Sequence, residues 1–85
     1  MNLCVEITEN ALKEYREIKE PFKSNIKKKI DNLCELGFAD TNIKSLHGEF
    51  AGFYRKRIGD FRVIFTIKDN ILTIYSVVER KNAYK

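Results

Sequence analysis

Histidine and proline each occur once in this chain of 85 residues, cysteine occurs twice, and no apolar run approaches the roughly 20 residues that span a bilayer. The N-terminal stretch Met1–Glu6 is charged within six residues and lacks the apolar core of a signal peptide, so a cytoplasmic protein with no membrane partner is expected. Cys4 and Cys34 are too few, and wrongly spaced, for a metal-binding motif, and in a reducing compartment they read as free thiols packed as small apolar residues. His47 has no second histidine to form an HxxxH pair, and neither CxxC nor a paired-carboxylate arrangement is present. No metal and no cofactor is therefore expected. The GxxxxGK[ST] and GxGxxG phosphate cradles are missing as well. There is no repeat, linker or low-complexity tract, and the length is that of one domain over residues 1–85.

What the chain has is arginine, unevenly placed. Residues 53–85 hold eight lysines and arginines against three acids, whereas residues 1–52 hold eight against nine. The whole formal excess of +4 thus belongs to the C-terminal third. Asymmetry of this kind points to an anionic partner such as a nucleic acid.

The hydropathy pattern gives an α+β fold. Leu3, Val5 and Ile7 alternate with polar neighbours as in a short strand with one buried face. Thr8 is placed to cap a helix, along which Ala11, Tyr15, Ile18 and Phe22 recur at helical spacing. Glu20-Pro21 breaks that helix, and a second one presents Ile26, Ile30, Leu33 and Leu36 inward before Gly37 ends it. Residues 38–52 read as loop, anchored by Leu46. Strands over 53–58, 61–68 and 71–78, separated by Gly59-Asp60 and Asp69-Asn70, predict a three-stranded antiparallel meander. The N-terminal strand is expected to join that sheet, with the helical hairpin covering one face.

Alternation then assigns faces. Arg55 and Arg57 share one side of their strand, and Phe61, Val63, Phe65 and Ile67 form an apolar row on the next. Burying that row turns Arg62 toward Arg55 and Arg57. Lys56 is left pointing at the core, a conflict the sequence does not resolve. Three neighbouring guanidinium groups repel one another and suit phosphate oxygens, although charged residues on an uncovered sheet face can equally be plain solvated surface. Arg80 and Tyr84 follow the last strand and could fold back over the sheet, where the tyrosine either stacks on a base or only seals an apolar edge. Lys27-Lys28-Lys29 reads as a solvated helix face that RNA or a partner peptide could use.

The segments KSLHG (44–48), FYRKRIGDFRVIF (53–65) and VVERKNAY (77–84) together resemble the RelE branch of the RelE/ParE toxin superfamily, and the order of elements matches over nearly the whole chain. The resemblance implies a toxin of a type II toxin–antitoxin pair. Such a toxin enters the ribosomal A site and cuts messenger RNA without metal, by attack of a ribose 2′-hydroxyl on the adjacent phosphate. By position it implies catalytic roles for Arg55, Arg57, Arg62, Arg80 and Tyr84. Lys44, Lys56, Lys81, Lys27 and Lys28 are expected to contact RNA or ribosome. Arg62 would neutralise the scissile phosphate, Arg80 would stabilise the transition state, Arg55 or Arg57 would hold the RNA backbone and ease loss of the 2′ proton, and Tyr84 would stack and orient. A guanidinium group holds its proton too tightly to be a good proton shuttle, so electrostatics and alignment should carry most of the rate. Implied partners are a small acidic antitoxin, the translating ribosome with its mRNA, and DNA only through the antitoxin. The chain departs from many relatives in carrying Glu79 where they have histidine; a carboxylate there is expected to offset part of the local positive field. Two other readings are a ParE-like inhibitor of DNA gyrase and an inactive co-repressor subunit.

Overall fold

The computed structural model describes residues 2–79. Strand β1 (Cys4–Ile7) leads into helix α1 (Glu9–Arg16), helix α2 (Phe22–Leu36), and strands β2 (Ile43–Ser45), β3 (Tyr54–Ile58), β4 (Phe61–Lys68) and β5 (Ile71–Glu79). The five strands form one mixed sheet in the order β1-β5-β4-β3-β2, with both helices packed on one face. The expected meander is β3-β4-β5, antiparallel throughout, and β1 joins it parallel to β5 from Cys4↔Ile71 to Ile7↔Ile74.

The local signals act as their chemistry requires. Thr8 Oγ1 accepts from the Ala11 backbone N–H at 3.1 Å and so satisfies one of the donors that the first turn of α1 leaves open. Gly37 ends α2 at φ 57°, a left-handed conformation that a Cβ disfavours. A Cβ there would meet only Leu3 Cδ1 at 3.8 Å and Ile67 Cδ1 at 4.0 Å, so conformation rather than space demands glycine. Asp69 and Asn70 both lie at positive φ, 52° and 66°, as a mirror-image hairpin turn between β4 and β5 needs.

Ala11, Ile26, Ile30 and Leu33 from the helices meet Ile58, Phe61, Val63, Phe65, Leu72, Ile74 and Val77 from the sheet in one apolar core. The row on β4 that was expected to face the helices does so.

Five expectations are corrected. The face of β1 expected to be buried is open, with Val5 42% and Ile7 46% exposed on this edge strand. Helix α1 stops at Arg16, so Phe22 belongs to α2; its ring, more than half exposed, lies 5.8 Å from that of Phe61. Leu36 stands at the end of α2 and is half exposed rather than inward. Cys4 is exposed on the edge strand, while Cys34 is half-buried and its thiol is pushed above its ordinary pKa by that burial. The segment read as loop holds β2, whose three residues pair with β3 as Ile43↔Lys56, Lys44↔Arg55 and Ser45↔Tyr54.

Candidate nucleic-acid interface

The register of the sheet fixes which side chains share the face that the helices leave uncovered. Arg57 lies directly opposite Arg62, and Arg55 lies opposite Ile64 on one side and Lys44 on the other. Residues opposite one another in an antiparallel pair point the same way, so Lys44, Arg55, Arg57 and Arg62 occupy one face across three strands. That face is turned away from both helices, because Val63 and Phe65, the alternate residues of β4, are fully buried against them. Cationic side chains directly opposite each other destabilise a sheet unless an anion neutralises them. Among the described residues no carboxylate pairs with Lys44, Arg55 or Arg57. Arg55 Nε is shut off from solvent and has no hydrogen-bond partner among those residues. A shielded guanidinium donor without an acceptor is costly in a resting fold and is relieved by an incoming oxyanion.

The conflict at Lys56 resolves against the expected RNA contact. The side chain points to the core side and is only 3% exposed. Its Nζ lies 2.8 Å from Asp40 Oδ2 and donates to the Thr41 carbonyl at 3.0 Å. Asp40 Oδ1 accepts in turn from the Thr41 backbone N–H at 2.8 Å. The ammonium is therefore spent on tying the loop before β2 to β3, and it offers nothing to a phosphate.

Lys27 and Lys28 stand exposed on α2, on the helical side of the sheet, remote from the arginine face. Lys27 is held by Asp31 at 2.9 Å, one turn along, and this partner raises its pKa. Glu79 also turns out to lie away from the arginines. It pairs with Phe61, on the core side of the sheet, and lines a cavity of about 540 Å³ with Glu14, Glu17, Phe22 and Asp60. The expected damping of the arginine field by a neighbouring carboxylate therefore does not arise on that face. Arg80, Lys81 and Tyr84 lie outside the described residues.

Two residues on the open face escaped the sequence reading. Phe53 precedes β3 and is two positions from Arg55, and Tyr75 sits where the β4–β5 register slips. Their rings meet edge to face, with centroids 5.0 Å apart and planes at 83°. The signal was present for Phe53, which has the same parity as Arg55 and Arg57. For Tyr75 it was hidden, because the irregularity between Ile64 and Phe65 shifts the alternation. Among the described residues no group of three or more His, Cys, Asp or Glu side chains is placed to hold a metal ion, and no helix is long and apolar enough to cross a membrane.

A two-helix layer over a five-stranded mixed sheet is a fold that this chain shares with several solved chains from toxin–antitoxin pairs. The fold matches a chain of the toxin–antitoxin complex RelBE2 from Mycobacterium tuberculosis with a TM-score of 0.83 at 20% identity, covering 94% of this chain and 100% of that one. The isolated RelE toxin from E. coli matches with a TM-score of 0.77 at 21% identity, covering 96% and 88%. A chain of the YoeB–YefM complex from Staphylococcus aureus gives 0.73 at 18%, covering 91% and 95%. No curated protein sequence matches the chain. The model of the family described as the ParE toxin of type II toxin–antitoxin systems matches residues 5–84, and the chain belongs to that family, within the RelE/ParE superfamily and with a RelE-like fold.

Proposed function

We propose that this toxin is a metal-independent endoribonuclease that cleaves messenger RNA in the A site of the translating ribosome. The observation that carries the reading is the convergence of Arg55, Arg57 and Arg62 on one uncovered sheet face, with Arg57 opposite Arg62. In this reading the 2′-oxygen bonds to phosphorus as the bond to the 5′-oxygen breaks. The 2′ proton leaves to water, the 5′-oxygen takes one up, and a 2′,3′-cyclic phosphate remains. Arg62 neutralises the charge that builds on the phosphate, while Arg55 and Arg57 hold the backbone and make loss of the 2′ proton less costly. Lys44, on the same face, extends the contact along the strand of RNA. Arg80 and Tyr84 complete the set, the first on the transition state and the second against a base. Lys81, Lys27 and Lys28 contact ribosomal RNA, the last two through the helical side of the molecule. Proximity and charge supply the acceleration, since guanidinium groups stay protonated throughout.

The neutralising partner is a small acidic antitoxin. Similar toxins have been solved in complex with their antitoxins, as in the RelB–RelE complex from Methanococcus jannaschii. It covers the cationic face or excludes the toxin from the ribosome, and DNA is met only through it. A cytoplasmic location follows from that role. The ParE description of the family favours a second reading, inhibition of DNA gyrase without RNA cleavage. One experiment separates them: induce the wild type and an Arg62→Ala/Arg80→Ala variant, then map RNA 5′ ends on translated and untranslated transcripts. Cuts confined to translated codons and lost in the variant are the expected result. DNA damage without RNA cuts favours gyrase, and growth untouched by induction favours a co-repressor subunit.

A further inference from the structure

The geometry points to a nucleobase seat on the open sheet face, formed by Phe53 and Tyr75, whose ligand is the base of a nucleotide held through its phosphate by the arginines; the inference rests on the nuclease reading above. Phe53 stands two residues from Arg55, a separation of about 7 Å along an extended chain. A nucleotide spans that order of distance between its phosphate and the ring of its base. Tyr75 reaches the same place from β5. The register passes from Ile64↔Ser76 to Phe65↔Ile74 and leaves Tyr75 without a partner on β4. At this irregularity its ring meets that of Phe53 edge to face. Thr66 Oγ1, on the same face, donates to the Tyr75 hydroxyl at the long limit of 3.5 Å and fixes the far end of the ring.

Phe53 and Tyr75 are each half-buried, so both residues reach the surface, on the face that holds Ile64 and the cations of Lys44 and Arg55. Solvated cations alone have no use for an ordered aromatic pair. An apolar protein partner would not choose a surface ringed by guanidinium groups. A single-stranded nucleotide meets both demands, with an anion for the arginines and a flat π-face for the rings. Hydrogen-bonding groups at the seat are few, so it selects for the presence of a base more than for its identity.

The test compares two probes on the full chain by fluorescence anisotropy: a short single-stranded oligoribonucleotide, and the same oligomer with one abasic ribose. Wild type should bind the base-bearing probe about tenfold more tightly. Phe53→Leu/Tyr75→Leu should equalise the two probes while keeping the affinity for the abasic one, which also reports that the variant is folded. Tyr75→Phe should retain the preference. Equal affinity of wild type for both probes overturns the seat and leaves phosphate binding intact, and this comparison needs no variant. A preference that survives in the folded double variant overturns it equally. Failure of wild type to bind either probe overturns the seat, whereas the nuclease reading is decided separately by cleavage on the ribosome.

Discussion

At position 56 a lysine occupies the core side of β3 between two arginines that face outward, a conflict that period-two alternation imposes on the strand. The chain settles it by burying a carboxylate beside the ammonium: Asp40 Oδ2 lies 2.8 Å away and the Asp40 side chain is itself only 8% exposed. Removing one member strands the other in a low-dielectric site. Lys56→Met alone should cost about 3–5 kcal/mol, whereas Lys56→Met/Asp40→Leu should fold with near wild-type stability. Urea unfolding of the two variants checks this, and equal losses in both would show that the loop, not the charge pair, is what matters. The sequence could reveal the parity of Lys56 but not its partner, because Asp40 is sixteen residues away in a segment with no periodic pattern. The arginines were legible for the opposite reason. They lie in β3 and β4, joined by the two-residue Gly59-Asp60 turn, so the facing pair Arg57 and Arg62 follows from hairpin geometry.

Between elements, the joint of α1 and β5 shows what strand signals leave out. β1 ends at Ile7, opposite Ile74, so the edge of β5 beyond that point has lost its neighbouring strand. Side chains of Thr8 and of α1 take over. Thr8 Oγ1 and Asn10 Nδ2 donate to the Tyr75 carbonyl, and Glu14 Oε1 accepts from Ser76 Oγ and the Val77 backbone N–H, each at 3.0 Å. Glu14→Ala leaves the Val77 N–H without its acceptor and should cost about 1–3 kcal/mol by thermal or chemical unfolding. A neutral result would mean that water replaces the carboxylate freely. The start of α2 uses another carboxylate. Glu20 accepts from the Ser24 backbone N–H at 2.9 Å and from Ser24 Oγ at 2.8 Å, and these bonds hold its pKa below the usual 4.5. A carboxyl with a lowered folded-state pKa contributes stability above its ordinary range and loses it as the pH falls through the folded value. Below about pH 4.5 the wild type should therefore lose slightly more stability on acidification than Glu20→Gln. Identical acid profiles would remove Glu20 from the account. Neither joint was legible in the sequence, since Glu14 lies on a helix and Glu20 in the turn before α2, both places where acids are ordinary. β2 was missed because three residues carry too little alternation and its pairing is supplied by β3.

Over the whole molecule, the sheet separates two surfaces with different tasks. One is sealed by the helices and supplies the apolar core; the other is left open and collects Lys44, Arg55, Arg57 and Arg62. The stability of the first allows the second to hold like charges together with no carboxylate beside Lys44, Arg55 or Arg57 among the described residues. The central claim is that this charge acts on the scissile phosphate of an mRNA positioned by the ribosome. The most direct measurement is the cleavage rate of mRNA in a reconstituted translation reaction, with wild type and Arg62→Ala, and with ribosomes present or omitted. The account predicts cleavage only with ribosomes and a fall of about 10²–10³-fold in the rate for Arg62→Ala, the scale on which one preorganised charge stabilises a transition state. Equal rates for the two proteins, or equal cutting of naked mRNA, would contradict it.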